Sequence, residues 1–257
     1  MRLVVRLFAT IAAGALLTVL LVRTTPGYGV DESNLDLRRN GAVRSRAQLP
    51  WWYSSEFRTP IHQLVAQRAK PTALAVCGGL ILAWAVSLGT VVLALRMRRR
   101  WVENGVFAGA MLVQCLPAGV IALFLLVFGL RGATAVALAL AVALGPRVWQ
   151  VSRAVVARAA ASPCVLLARA QGFGPWRLIG RRLLPLAAPE LGALAAVSVS
   201  LAISLAIPLE TLLDVPGLGQ LAWQAALARD LPLLVQLMTL VTLVVVVAGE
   251  LADRCRA

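Results

Sequence analysis

The sequence predicts an all-α membrane protein with six transmembrane helices. Of its 257 residues, 60% are hydrophobic and only 14% are charged, whereas soluble domains are nearer half apolar with a quarter charged. The apolar residues are gathered into six segments, and the mean hydropathy of the chain is +0.83. Arginines collect at alternate ends of these segments, which is typical of a multi-pass protein.

Each segment is long enough, or nearly so, for a hydrocarbon core that needs roughly 20 helical residues. The first follows Arg2 and Arg6 and has no cleavage site of the signal-peptide kind after it, so we interpret it as a span. The fourth is shorter and is expected to continue past the membrane towards Arg158. The six predicted spans are Leu3–Val22, Thr72–Leu95, Val106–Leu130, Ala133–Val148, Ala187–Ile207 and Leu231–Ala248.

The arginines orient these spans, because short cytoplasmic loops carry an excess of basic residues. With the N-terminus inside, the short outer connections carry only Arg131 and Arg229. The first outer loop, 23–71, holds eight basic residues against four acids, but long loops are translocated largely regardless of charge. We therefore expect both termini in the cytoplasm. The net charge of +14 then reflects topology and contact with membrane lipid, and it does not indicate a nucleic-acid partner.

The loop between the fourth and fifth spans has the pattern of two helices joined by a turn. Ser162 is a candidate N-cap, Pro163 suits the first helical position, and Gly172 supplies a left-handed stop. Gly174-Pro175 is expected to start a second helix that runs until Pro185 interrupts it. The loop carries no acid and seven arginines, which are Arg147, Arg153, Arg158, Arg169, Arg177, Arg181 and Arg182.

Two blocks of sequence carry a resemblance to a known family. The segment Ala168–Gly172 reads Ala-Arg-Ala-Gln-Gly, and Leu184-Pro185 follows twelve residues after the glycine. The segment Glu210–Gly219 is followed by Ala228-Arg229-Asp230 and by Pro232. Both blocks resemble binding-protein-dependent ABC importer permeases of the dipeptide, oligopeptide and nickel branch. Weaker matches extend the likeness over residues 60–251 and favour the first of the two permease types that pair in such systems.

The resemblance implies the MetI-like fold of type I ABC permeases. Residues 1–71 would form an N-terminal transmembrane helix and an external loop. Residues 72–257 would form the permease core of five helices, with a coupling loop at 147–186. The first block corresponds to the EAA loop of the family, although Leu166 stands at the position of its glutamate.

The resemblance also implies that Pro163–Gln171 is the coupling helix, seated in a groove of a separate ATPase subunit. On the second loop helix, Trp176, Ile179 and Leu183 form an apolar stripe that can lie against the bundle. The implied ATPase-coupling residues are Leu166, Leu167, Ala168, Arg169, Ala170, Gln171, Gly172, Leu184 and Pro185.

The block after the fifth span is predicted to form a turn and a short helix on the outer face. It is either a place where a solute-binding protein docks or the pathway is gated, or a structural Pro-Gly turn between the last two spans. The sequence leaves both interpretations open. The residues concerned are Glu210, Pro216, Gly217, Gly219, Arg229 and Asp230.

The implied function is a permease subunit of an ATP-driven importer in the bacterial inner membrane. It would move a small solute, foremost a di- or oligopeptide, by alternating access. The implied partners are a second permease subunit, ABC ATPase subunits and a periplasmic or lipid-anchored solute-binding protein. Nickel or another non-peptide solute is the alternative within the family. No cofactor, metal site or catalytic residue is expected.

Two other classes of membrane protein fit the sequence less well than an ATP-driven permease. An ion-coupled secondary transporter usually places ionisable residues in mid-membrane, and this chain has few there. A membrane enzyme is disfavoured because the sequence has no H-E-x-x-H, no G-x-S-x-G and no carboxylate cluster. It also has no G-x-x-x-x-G-K-[ST], so ATP hydrolysis is expected in partner subunits.

Overall fold

The computed structural model describes residues 12–14, 16–17, 19–20, 50–97 and 100–256. From residue 61 onwards the described chain is almost entirely helical. The helices are α1 (Ile61–Met97), α2 (Arg100–Cys115), α3 (Ala118–Val127), α4 (Ala133–Ala160), α5 (Pro163–Ala170), α6 (Pro175–Leu178), α7 (Leu184–Leu212), α8 (Leu218–Leu227) and α9 (Leu231–Arg256), with a π-helical turn at Ile179–Leu183 between α6 and α7.

Four helical segments are long and apolar enough to cross a membrane, and α2 with α3 add a fifth only if that bent pair is counted as one span. The chain is therefore a multi-pass membrane protein with four or five candidate spans among its described residues. The predicted first span, Leu3–Val22, lies for the most part outside the described residues. The four segments are Ile61–Ala94, Ala133–Ala160, Ile179–Leu212 and Leu231–Cys255.

The third predicted span, Val106–Leu130, is a bent pair of helices. The chain turns by 93° between α2 and α3, across Leu116-Pro117. Proline has no amide hydrogen, and it disfavours the helical conformation in the residue before it. Pro117 itself takes φ −59° and ψ 140°, so the break falls at this residue.

Helices α4 and α7 both run further than the apolar segments alone. The predicted continuation of the fourth span is confirmed, because Arg158 lies in the last turn of α4. The expectation that Pro185 interrupts the second loop helix is wrong. Pro185 lies in the first turn of α7, where a missing amide hydrogen is tolerated. The turn before it widens, and the Leu184 N–H donates to the Ile179 carbonyl five residues back.

Three apolar clusters follow one another along the bundle. The central cluster joins α1, α3, α4 and α7 and contains many small residues, such as Ala75, Ala139 and Ala202. Small residues let helix backbones approach closely in membranes. Gly79 is one such position, because a Cβ placed there would lie 2.7 Å from the Cβ of Leu140.

The other two clusters lie at opposite ends of the helices. The elbow cluster surrounds the junction of α4, α5 and the π-helical turn, and includes Val155, Val165 and Leu183. The cap cluster joins α8 to the first turns of α1 and α9 and includes Ile61 and Leu233. The two blocks of sequence singled out above therefore lie at the two ends of the molecule.

Candidate functional site

The first candidate site is the elbow, which we define as residues 162–178. Its first helix, α5, begins at the carbonyl of Ser162, which accepts bonds from the N–H groups of Val165 and Leu166 at 3.1 Å each. The predicted side-chain cap is not formed, because the buried Oγ of Ser162 has no hydrogen-bond partner among the described residues. The backbone carbonyl and Pro163 alone therefore start this helix.

The end of α5 is the left-handed stop that the sequence predicts. Gly172 has φ +76°, and the N–H of Phe173 donates to the carbonyl of Ala168 at 3.3 Å. This six-to-one bond around a left-handed glycine is the Schellman arrangement. A Cβ at Gly172 would meet no atom within 4 Å, so only backbone conformation requires glycine here.

The short α5 helix is buried on one side and open on the other. Val165 and Ala168 are 1% and 4% exposed and pack in the elbow cluster with Val155 of α4. Leu166 and Leu167 are 52% and 61% exposed. Burying a valine is worth roughly 1.5–3 kcal/mol, so the elbow is held to the bundle while two leucines remain uncovered.

The structure brings most of the predicted coupling residues together in this elbow. Arg169 and Ala170 complete α5, and Gln171 and Gly172 form its exit. Leu184 and Pro185 lie beyond the π-helical turn, in the first turn of α7, where both are exposed. They belong to the connection between elbow and bundle rather than to the exposed face of α5.

The elbow is joined to the bundle by residues that the sequence pattern identified only in part. Leu183 is buried as expected, and Ile179 packs against the same cluster. Leu178 is equally buried but was missed, because a π-helical turn shifts the period that a regular helix would have. At the surface Arg158 of α4 forms an ion pair with Glu190 of α7. Both side chains are more than half exposed, so this pair contributes little to stability.

The second candidate site is the outer cap, where α7 turns into α8. Glu210 is fully buried, and its Oε2 accepts a hydrogen bond from the Gly219 N–H at 2.7 Å. The Leu218 N–H donates to Oγ1 of Thr72 in α1 at 2.8 Å. The amides at the start of a helix have no partner within it, and its N-terminus favours negative charge. Glu210 and Thr72 thus satisfy the first two amides of α8 from two different helices.

Two glycines make this capping arrangement possible. A Cβ at Gly217 would lie 2.2 Å from Oε2 of Glu210. A Cβ at Gly219 would lie 2.5 Å from the Cα of Ile207, which is backbone and cannot rotate away. The Pro-Gly-Leu-Gly segment is therefore pressed against the end of α7, and Pro216 remains exposed above it.

Asp230 fixes the start of α9 and the segment before α1. Its carboxylate accepts hydrogen bonds from the Leu233 N–H at 3.4 Å and the Glu56 N–H at 3.2 Å, and also from the Ser54 hydroxyl. Ser54 and Asp230 are 0% and 1% exposed. Sequence reasoning missed Ser54, because 176 residues separate it from its partner and no local pattern marks it.

The predicted outer residues therefore fall into two groups. Glu210, Gly217, Gly219 and Asp230 are buried in bonds that hold helix ends together, which favours the structural-turn interpretation for them. Pro216 and Arg229 are exposed, and Arg229 holds the left-handed position after α8 at φ +52°. Other exposed residues on this side are Trp51, Trp52, Trp223 and Leu227.

The described residues thus form a bundle of apolar helices with an exposed helical elbow at one end. Residues 76–255 match the family described as binding-protein-dependent transport system inner membrane component, and the chain belongs to that family. It is therefore a permease component of an ABC importer, which works with ATPase and substrate-binding partners. The match spans the elbow, the outer cap and most of α1. A search of curated proteins found no match.

Proposed function

We propose that α5 is the coupling helix of this permease, with the exposed side chains of Leu166 and Leu167 seated in a groove of an ATPase subunit. Two uncovered leucines on an otherwise anchored helix form an apolar contact, and arginines surround it in sequence. Interfaces are commonly built in this way, with an apolar centre and a polar rim. Catalysis of ATP hydrolysis belongs to the partner in this account, and the permease itself is non-catalytic.

The packing of the elbow supports its use as a lever. Val165 and Ala168 join α5 to α4, and Leu178 and Leu183 join the π-helical turn to the same cluster. A displacement of α5 therefore acts on two membrane-spanning helices at once, because packed cores shift as units rather than deform continuously. ATP binding would bias a two-state bundle through this contact, and the bundle would open alternately to each side.

We infer that the elbow faces the cytoplasm and that both chain termini lie on that side. Six of the seven arginines of the long loop lie at or beyond Arg153, at the elbow end of α4, as the positive-inside rule requires of a cytoplasmic loop. The opposite end would then face the solute-binding protein. The exposed Trp51, Trp52 and Trp223 provide aromatic surface there, and the buried Glu210 and Asp230 keep that surface in place.

We propose a di- or oligopeptide as the solute and a heterodimer with a second permease subunit as the assembly. The solute proposal rests on the Ala-Arg-Ala-x-Gly form of residues 168–172, which resembles the peptide branch of the family. That branch also includes nickel permeases, so the transported species must be measured directly.

The test is uptake by vesicles containing both permeases, the ATPases and the binding protein. Labelled dipeptides and oligopeptides are expected to accumulate only when ATP is supplied to the elbow side. Leu166→Ser with Leu167→Ser should abolish uptake and release the ATPase, whereas Leu227→Ser, an exposed leucine at the other end, should leave the ATPase bound. Uptake driven by an ion gradient at constant ATP would refute the proposed mechanism. Nickel uptake without peptide uptake would refute the proposed solute.

A further inference from the structure

An apolar groove with a volume of about 330 Å³ opens between α1, α2 and α4. Most of its lining residues are leucine, valine, alanine or glycine, contributed by all three helices, and Ser87, Thr90, Pro146 and Trp149 complete it. Leu82 and Val86 come from α1, Val106 and Val113 from α2, and Val142 from α4. Such a surface has few groups that can form hydrogen bonds with a polar solute, and it favours contact with a hydrocarbon chain.

The groove runs along the helices towards the elbow end of the bundle. On α4 its lining extends from Ala141 to Trp149, about 12 Å at the usual rise per residue. On α1 it extends from Leu82 to Thr90, in the direction of Met97. Trp149 also belongs to the elbow cluster, so one end of the groove adjoins that cluster.

The elbow end of the groove carries polar groups that suit an anion. Trp149 is 4% exposed, and its indole Nε1 has no hydrogen-bond partner among the described residues. Buried indole N–H groups usually donate to a hydrogen-bond acceptor, so this unpartnered group indicates that a ligand supplies the acceptor. The guanidinium carbon of Arg153 lies 5.6 Å from the centroid of the Trp149 ring, and Arg147 is exposed on the same helix.

The sequence around this end is strongly basic. Between Thr90 and Arg153 the sequence contains seven arginines and one acid. Two of these arginines, Arg147 and Arg153, lie on α4 within four residues of Trp149.

We propose that the groove binds an acyl chain of an anionic phospholipid, with the lipid phosphate beside Trp149 and Arg153. The assignment of this lipid to the cytoplasmic leaflet rests on the proposed function, which places the elbow in the cytoplasm. The binding itself does not depend on that orientation. A helix of the second permease subunit is the competing occupant of the same apolar surface, but the unpartnered indole and the surrounding arginines favour the lipid.

Two glycine variants test the groove with matched chemistry. Gly109 lines the groove, whereas Gly89 lies on α1 outside the lining. A Cβ added at either glycine would meet no atom within 4 Å. Gly109→Trp therefore fills the groove without a backbone clash, and Gly89→Trp adds the same side chain elsewhere. Arg153→Gln removes the nearest charge and leaves the groove open.

The complete transporter is purified from membranes of equal phosphatidylglycerol and phosphatidylethanolamine content, and retained lipid is measured by mass spectrometry. Phosphatidylglycerol should be retained preferentially by the wild type and by Gly89→Trp. Gly109→Trp should lower its retention at least tenfold. Arg153→Gln should lower the ratio of retained phosphatidylglycerol to retained phosphatidylethanolamine about fivefold, as expected for the loss of one surface arginine.

Equal retention of the two lipids by the wild type would overturn the proposal, and so would unchanged retention by Gly109→Trp. A cysteine at Val86 that cross-links to the second permease subunit would also overturn it, because a helix would then occupy the groove. ATPase co-purification is read from the same samples. If the wild-type permease retained the lipid but did not hold the ATPase, the coupling role of α5 would be contradicted and the lipid site would stand.

Discussion

Replacement of Gly172 by alanine tests the elbow most selectively. The residue has φ +76°, and nothing lies within 4 Å of a Cβ placed there, so the substitution introduces strain but no collision. A left-handed conformation costs an ordinary L-residue roughly 1–2 kcal/mol. Because Gly172 is exposed and outside the buried clusters, that cost falls on the elbow rather than on the bundle. The equilibrium constant for forming the docking-competent elbow should therefore fall about five- to thirtyfold.

The assay is the affinity of the ATPase subunits for the permease in lipid nanodiscs, measured by titration. Gly172→Asn should recover most of the loss, since asparagine adopts the left-handed region more readily. Gly174→Ala is the matched control, because Gly174 is two residues away, has equal space and does not have a positive φ. Equal affinities for wild type and Gly172→Ala would refute the view that the shape of the elbow controls docking. So would equal losses at positions 172 and 174.

Three further predictions concern the docking face and the outer cap. Leu167→Ser should weaken ATPase docking roughly tenfold, as loss of an interface anchor does, while changing the free energy of unfolding by less than about 0.5 kcal/mol. Gly219→Ala should destabilise the permease by roughly 1–3 kcal/mol through overpacking against α7, measured as a lower midpoint of thermal unfolding in detergent. Asp230→Ala should cost about 2 kcal/mol by removing a helix cap and buried hydrogen bonds, and in a double-mutant cycle its effect should not add to that of Ser54→Ala.

Gly219→Ala has a matched control, and a contrary result can be stated for all three predictions. Gly78→Ala is the control for Gly219→Ala, because a Cβ at Gly78 would lie 3.5 Å from its nearest neighbour, an ordinary contact. Equal unfolding midpoints for the two alanine variants would contradict the close packing at the cap. Additive effects of Asp230→Ala and Ser54→Ala would show that the two side chains act independently. Tight docking by Leu167→Ser would exclude that face of α5 from the interface.

Sequence reasoning located elements whose signals are local. The left-handed stop at Gly172, the start of α5 at Pro163 and the continuation of α4 to Arg158 follow from single residues and from apolar length, and the structure confirms all three. The effects of two prolines did not follow from the sequence. Pro117 lies within the third predicted span and the chain bends by 93° there, whereas Pro185, expected to interrupt a helix, lies within a continuous one.

The difference between the two prolines is one of context. A widened π turn absorbs the missing amide of Pro185, whereas the residues around Pro117 separate into two helices. The local sequence does not determine whether a helix breaks at a proline or continues through it, because tertiary packing decides between the two.

The outer cap shows a second limit of prediction from sequence. Glu210 and the glycines after it stand out in the sequence, but the arrangement that buries them includes Thr72. The hydroxyl of Thr72 accepts a hydrogen bond from the N–H of Leu218, 146 residues further along the chain. The pair of Ser54 and Asp230 is separated further still. Long-range hydrogen bonds of this kind leave no periodic or compositional trace, so the sequence alone did not show which outer residues are buried.

The most direct test of the account is the accessibility of Cys164, which is exposed on α5. The other cysteines, Cys77, Cys115 and Cys255, are first replaced by serine, and a membrane-impermeant maleimide is then applied to intact cells and to inverted vesicles. Cys164 should react only in inverted vesicles, and bound ATPase should protect it. Reaction in intact cells, or equal reaction with and without the ATPase, would contradict the assignment of α5 as the cytoplasmic coupling helix.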